Sequence, residues 1–484
     1  MQVSNSYIVR DNKIKLDDSG QNFLVLFMLF QLFFFNGVYL FFGAIVFGMI
    51  LINLQRPYKP SVFSLLFVFH FIQISAGIWL SNYLGFDINY RSPNTGLAII
   101  LSYIGLMVLM IPVIYYNNRV PNFSMADLKR YAAKLNIKKV FIAYILAFFI
   151  TNAMSVLAFS FLALTQVILS LVKVKWFLFV LFGFLAILRK NMLRVFIACC
   201  VGEFLAGFFS FFSEFKDVVF YASCILITLI STIRLRDIMI TIIGIILAAY
   251  LGIFWTSIKD EYRAFLNQGS KSQTVQVSEE EAFNKLLDLV QQGRDEYKDD
   301  PTANFLDRLQ YTYHFAKTIE RVPANIPFQY GDNWGETMSY ALTPRMLNPD
   351  KPIFEATVKT RKYTGLAYAG HRQGASFSLG YFADSYIDFG MFGMFIPLLI
   401  LGLFYGRTYY YFVRKSSPNI LFNYAVVCAI FMEFIAYEVD STKLVGRLFA
   451  TLLTFFLLQI FFFPWLHKYF SIIPAKAPDE RKSE

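Results

Sequence analysis

The sequence predicts an all-α polytopic membrane protein, with about twelve transmembrane helices and one large, partly helical extracytoplasmic loop domain. Three observations predict it. The 484 residues are 57% hydrophobic and only 16% charged, where soluble domains carry about 25% charged residues. Apolar runs of about 20 residues recur along the chain, the length that crosses a bilayer as a helix. Positions 257–386 form the one long polar segment. It is too long for a connector and large enough to fold as a small domain.

The net charge of +11 sits in short clusters beside apolar runs. That distribution reads as topology signals on a cytoplasmic face and argues against a nucleic-acid partner. Cys199, Cys200, Cys224 and Cys428 all lie inside apolar runs, so they read as small buried hydrophobes, with neither a disulfide framework nor zinc spacing. Arg10, Lys13 and Lys15 precede the first apolar run, which starts without a small-residue cleavage site, so no signal peptide is expected.

In chain order, residues 1–21 are read as a cytoplasmic N-terminus and 22–256 as a bundle of about nine spans. Asn36-Gly37 divides the first run into a hairpin with arms 22–36 and 38–54. Spans follow at 62–82 and 97–116. Residues 124–137 read as an amphipathic interfacial helix. Ser124 and Asp127 have capping-box spacing, and Phe123 and Leu128 are placed for a hydrophobic staple. Leu128, Tyr131, Ala132 and Leu135 make its apolar face, with Lys129, Arg130 and Lys134 turned toward anionic lipid. The stretch after Val140 is read as a span at 140–163, a short interfacial piece to 173, and a span at 174–188. Spans at 194–212, 218–232 and 237–256 complete this half.

After the loop come three spans, 388–411, 419–437 and 444–466, within 387–467, and a cytoplasmic tail at 468–484. On this count both termini face the cytoplasm, together with Arg56/Lys59, Lys129 to Lys139, Arg189/Lys190/Arg194, Arg234/Arg236 and Arg414/Lys415. Lys173 and Lys175 fall on the other side and break the pattern. Glu203, Glu433 and His70 sit within apolar runs, where ionisable groups are functional suspects or helix-to-helix hydrogen bonders.

Inside the loop, Ser278 and Glu281 again have capping-box spacing and open a helix expected to end at Gly293. Asp300-Pro301 opens a second helix, expected to run unbroken to Arg321 before Pro323, with Arg308 and Tyr311 as neighbours and His314 pointing away. The chain then turns irregular, with Gly331, Gly335, Pro344, Pro349 and Pro352. Tyr330, Trp334 and Tyr386 offer ring faces for sugar C–H surfaces, and Asp332 offers a carboxylate to hydroxyls. An ordered loop resting on the membrane would have the same composition. His371 lies in Gly370-His371-Arg372-Gln373-Gly374, where the glycines allow close backbone approach to a ligand.

These features resemble the Wzy-type O-antigen and exopolysaccharide repeat-unit polymerases. The likeness rests on an arginine in a loop helix (Arg308), Pro327 to Asp332 (the "P.QYGD" pattern) and Thr343 to Pro352 ("TPRML.PDKP"). It continues into the acidic-x-Tyr-x-x-Phe-Gly-x-x-Gly run of Asp384, Tyr386, Phe389, Gly390 and Gly393. The family more often has Glu where Asp384 stands. The resemblance covers about Asp300 to Gly406, and the earlier spans agree in number and character.

It implies a metal-independent glycosyltransferase of the C type, without cofactor, in a bacterial inner membrane with its loop outside. Its substrates would be glycan donor and acceptor on undecaprenyl pyrophosphate, with membrane lipid and a chain-length regulator as candidate partners. The leaving pyrophosphate needs lasting positive charge, which points to Arg308, Arg345 and Arg372, then to Lys443 and Arg447. The acceptor hydroxyl points to His371, Asp384 or Glu336 as base. For each of these the alternative is a structural ion pair or surface charge. An O-antigen ligase shares this architecture. A lipid-linked oligosaccharide flippase has as many spans but short loops, and a membrane scaffold leaves the Arg, Tyr and Gly motifs unexplained.

Overall fold

A computed structural model describes residues 15–16, 18–158, 165–209, 215–269, 276–292, 300–343, 348, 351, 354–368 and 376–472. Among the described residues the protein is helical apart from a two-residue parallel pairing, Lys15–Leu16 with Thr232–Ile233, and a single antiparallel bridge between Leu135 and Ser471. The first half comprises α1 (Asp18–Phe30), α2 (Gly37–Leu54), α3 (Val62–Leu84), α4 (Thr95–Asn118), α5 (Met125–Ala133), α6 (Ile137–Ala158), α7 (Thr165–Arg189), α8 (Leu193–Phe209), α9 (Phe215–Thr228) and α10 (Leu235–Leu266). The second half comprises α11 (Glu279–Gln292), α12 (Pro301–Leu309), α13 (Thr312–Arg321), α14 (Asp332–Leu342), α15 (Ala356–Thr364), α16 (Tyr381–Gly393), α17 (Phe395–Lys415), α18 (Ile420–Phe431), α19 (Ser441–Phe461) and α20 (Phe463–Phe470).

Among the described residues six helices are long and apolar enough to cross a membrane: α2, α3, α4, α6, α7 and α19. The bent pair α16–α17, with 116° between its arms, makes a seventh if counted as one span. The deepest packing is between α4 and α17. A methyl on Gly402 would run into the Leu109 carbonyl, and one on Gly406 would lie 2.9 Å from the Pro112 carbonyl. Small residues there let two backbones approach, as helix pairs in lipid require.

Local signals explain several element ends. Asn36 adopts a left-handed backbone (φ 58°) and turns α1 into α2. Its side chain donates to Asn82 Oδ1 (2.9 Å) and accepts from Ile88 N (3.0 Å), fixing the hairpin to the α3–α4 loop. Ser124 and Asp127 form the capping box of α5, and Asp300 caps α12 through Thr302 N and Ala303 N.

Other expectations are corrected. The apolar face of α5 does not lie in lipid. Leu128, Ala132 and Leu135 are buried against α7 and α18, and Phe123 meets Tyr131 edge-on. The segment expected to divide at 173 is one helix, α7. Lysines 173 and 175 do not end it because each has a carboxylate within the bundle. Lys175 pairs with Glu203 at 2.9 Å, which also accepts from Tyr144, and Lys173 lies 3.9 Å from Glu433. His70 is likewise engaged, with Nε2 2.8 Å from the Tyr381 hydroxyl.

The helix expected over 300–321 breaks at Gln310. That residue is extended (ψ 139°), and its side-chain oxygen accepts from Tyr313 N at 3.0 Å. The break seats on α3 at Gly77, where a methyl group would meet the Thr312 hydroxyl at 2.9 Å. The span expected to stop at 256 continues as α10 to Leu266. Ile258, Tyr262 and Leu266 pack there with Ala282 and Leu289 of α11. The loop boundary expected at 386 falls inside α16, whose residues 381–388 are all buried.

The basic clusters gather at one end of the bundle. Tyr424 donates to Tyr58 O (2.8 Å), Asn419 to Tyr131 O (2.9 Å) and Arg189 to Leu135 O (2.8 Å). At the other end of α3 and α4, Arg91 pairs with Asp307 and Ser92 with Glu320. Helices α12 and α13 therefore sit opposite the basic clusters.

Candidate functional site

The site is built on α16. Glycine 390 (φ 66°, ψ −166°) ends its regular hydrogen bonding and bends the chain into α17. The carbonyls of Ile387 and Asp388 are taken by the next layer, accepting from Gln329 N and Tyr330 N, both at 3.0 Å. Tyr330 (φ 51°) and Gly331 (φ 105°) then turn left-handed into α14. Because Gly331 brings no side chain to cap that helix, the cap comes from outside. The Asp388 carboxylate accepts from Asn333 N at 3.1 Å and Trp334 N at 2.8 Å.

One turn earlier, Asp384 joins two further elements. Its Oδ2 accepts from Ser441 N (2.8 Å) and Ser441 Oγ (2.7 Å) at the start of α19. Its Oδ1 lies 2.7 Å from Lys359 Nζ on α15. Thr337 of α14 meets Ser441 and Thr442 at 2.9 and 3.0 Å. Asp440 caps α19, accepting from Lys443 N at 2.9 Å and from Ser378 Oγ at 3.0 Å. Lys443 Nζ is 3.7 Å from the same carboxylate and donates to Ser376 Oγ at 3.1 Å.

Above this network lies an open cleft of about 440 Å³, within the ~300–1,000 Å³ range of small-ligand sites. Its walls are Gln329, Asp332, Asn333 and Glu336 on one side and Lys362 and Tyr363 on the other, with glycine backbone at 331 and 335. Amide, carboxylate, ammonium and phenol groups converge there, and such a set can hydrogen-bond a polyhydroxylated ligand. Tyr330 projects beside it, 81% exposed.

The residues expected to act divide into groups. Asp332, Glu336 and Tyr330 are exposed at the cleft. Trp334 lies behind it, its indole N–H directed at Ser385 Oγ (3.3 Å). Asp384 and Tyr386, expected as a base and as a sugar platform, are buried. Asp384 is fully buried and held as above. The Tyr386 ring packs on Phe315 and Phe328, and its hydroxyl donates to Val322 O at 3.1 Å, so no ring face is open to a sugar. Lys443 is half-buried near the network, and Arg447 is exposed one turn further along α19. Arg308 is exposed on α12, which packs on α3 and α10, and its charge acts on the neighbouring Tyr311. Arg345, His371 and Arg372 lie outside the described residues.

Reasoning from sequence missed Lys359, Lys362, Tyr363 and Asp388. Asp388 alone had a readable signal, since it stands four residues after Asp384 and so on the same helix face. It also missed that Lys351 closes the far end of α14, donating to Thr343 O at 2.8 Å. His314, expected to point away from Arg308, is buried between Tyr311 (ring centroids 5.1 Å apart) and Tyr368 (5.4 Å). Neither of its ring nitrogens has a hydrogen-bond partner among the described residues. Burial pushes its pKa down to about 4, against a smaller opposing pull from Asp307.

Fold and site together define a helical protein with, among the described residues, six or seven candidate membrane spans and a polar cleft fixed to the bent pair α16–α17. Residues 120–437 match a family described as a domain of unknown function, DUF8712, and the chain belongs to that family. No curated protein and no solved structure matches it.

Proposed function

We propose that this protein is a bacterial inner-membrane glycosyltransferase that polymerises undecaprenyl-pyrophosphate-linked oligosaccharide repeat units into a surface polysaccharide. One observation carries the reading. A polar cleft of sugar-binding size is joined through Asp384 and Ser441 to the first turns of α19, where Lys443 and Arg447 stand. Groups suited to hydroxyls and cations suited to pyrophosphate thus share one rigid framework.

The reaction runs as a displacement. Glu336 is exposed, lines the cleft and is the base of this proposal. It takes the proton of an acceptor hydroxyl as that oxygen bonds the donor's anomeric carbon. The bond from that carbon to phosphate oxygen breaks, and undecaprenyl pyrophosphate leaves with the electron pair. Arg345, Arg308 and Arg372, with Lys443 and Arg447, supply the charge that stabilises it, so no metal is required. His371 is the second candidate base. Tyr330 and Asp332 hold the glycan. In this reading the chain crosses the membrane about twelve times, with both termini and the basic end cytoplasmic. A reporter at Gln273 then reads extracytoplasmic and one at Ser483 cytoplasmic.

The test is reconstitution in lipid vesicles with a polyprenyl-pyrophosphate-linked repeat unit as sole substrate. Products two or more units long, abolished by Glu336→Gln, support the proposal. Transfer only after a second, different lipid acceptor is added would identify a ligase instead. Relocation of substrate without a new glycosidic bond would identify a flippase. Absence of all three overturns the assignment.

A further inference from the structure

We infer that Lys359 and Asp384 form a positioning pair that fixes the cleft against the membrane helices, and that Asp384 does not contact substrate. Asp384 is fully buried; Oδ2 accepts two hydrogen bonds from Ser441, while Oδ1 has no hydrogen-bond partner among the described residues and meets the protein through the Lys359 ammonium 2.7 Å away. Lys359 Nζ reaches it from α15, the helix that also carries Lys362 and Tyr363 into the cleft. Ser441 reaches it from α19 through a backbone N–H and a hydroxyl. A single carboxylate on α16 thus spans α15 and α19, and Asp388 on the same helix holds α14. The two helices that line the cleft, α14 and α15, and α19 beside them are thus registered to one buried helix.

The pair is not interchangeable with neutral contacts on one side only. Removing Lys359 leaves a carboxylate without its cation away from water. Removing the Asp384 charge leaves a largely buried ammonium without its anion. Either loss costs far more than losing both together. Coupling between the two residues therefore separates a positioning pair from two independent surface charges. Its consequence for glycan transfer rests on the proposed function. The positional claim does not.

The test reads position directly. Thr337 and Thr442 have hydroxyls 3.0 Å apart across the α14–α19 contact, so Thr337→Cys with Thr442→Cys reports their approach as a disulfide. The thiols are oxidised by diamide in native membranes and the joined peptide is quantified by mass spectrometry, beside protein abundance. Lys359→Met and Asp384→Asn should each lower the product of abundance and crosslinked fraction by roughly ten-fold or more. Combining them should recover most of it, and Asp384→Glu should retain more than Asp384→Asn. Wild-type crosslinking in Lys359→Met overturns the inference. So does a double variant no better than the worse single one, including the case in which all three are degraded. Loss of polymer in Lys359→Met with normal crosslinking would assign Lys359 to the reaction itself.

Discussion

Lys175–Glu203 and Lys359–Asp384 are two ion pairs shut away from water, in different kinds of surroundings. The first lies wholly among α6, α7 and α8, with both side chains at most 6% exposed, Tyr144 donating to the carboxylate and the Trp176 ring 4.5 Å from the ammonium. The second joins α15 to α16, and its lysine remains 15% exposed. A buried pair is a poor source of stability, since desolvation offsets its attraction, but it is costly to break from one side. The bundle pair therefore makes the choice of helix neighbours specific, whereas the loop pair makes the placement of a cleft specific. The same chemistry serves assembly in one region and geometry in the other.

The sharpest way to break this comparison is Lys175→Met. It leaves Glu203 without a cation inside the bundle and should destabilise the protein by about 3–5 kcal/mol, seen as a fall in membrane abundance and in thermal midpoint in detergent. Lys175→Met with Glu203→Gln should restore most of the loss. A single variant as abundant and as heat-resistant as wild type would show that the pair specifies nothing.

Arg345→Ala should give the opposite profile, with unchanged abundance and loss of polymer. The proposed function assigns Arg345, set between Pro344 and Pro349 in the sequence, to the leaving pyrophosphate. Losing a preorganised charge of this kind lowers rate by roughly 100- to 1,000-fold. Arg345→Lys, which keeps charge but not the planar fork, should be impaired less. A glycan ladder run beside an abundance blot decides it, and a normal ladder from Arg345→Ala would remove this residue from the reaction.

A smaller effect concerns acid. His314 holds a pKa of about 4 when folded against about 6.5 unfolded. The unfolded chain thus binds the extra proton between those values. The stabilising preference for neutral imidazole is full above about pH 6.5 and is lost as pH falls toward 4, by up to about 3 kcal/mol. His314→Leu should flatten that part of the stability–pH curve. An unchanged slope would mean the imidazole is not the group responsible. Smallest of all, Asp388→Ala removes the outside cap of α14 and should cost about 1–2 kcal/mol, read as faster proteolytic nicking near residues 329–335 with abundance nearly normal.

What the sequence could announce was local. The Asn36-Gly37 hairpin, the Ser124/Asp127 box and the Asp300-Pro301 start each depend on residues within a few positions, and each is present. What it could not announce was who meets whom. Lys173 and Lys175 looked like the end of a span because their carboxylates come from α8 and from the turn after α18. The break at Gln310 depends on Gly77 of α3. In the site, the stretch after Pro327 was expected to be irregular, yet Asp332–Leu342 is helical because Asp388 caps it from α16, a partner that local sequence does not reveal. Asp384 could not be told from a base, because Lys359 and Ser441 approach it from other helices.

Helix α16 also imposes an order on biosynthesis. Tyr381 N donates to Val439 O, and Asp384 waits for Ser441, so both partners lie beyond α17 and α18 in the chain. While the ribosome is still making α17, a helix carrying two carboxylates has no α19 to receive it. The cleft therefore cannot be completed as the loop emerges. It closes when the last long helix arrives, and a chain cut short before Ser441 would carry every residue of the cleft without the partner that registers it.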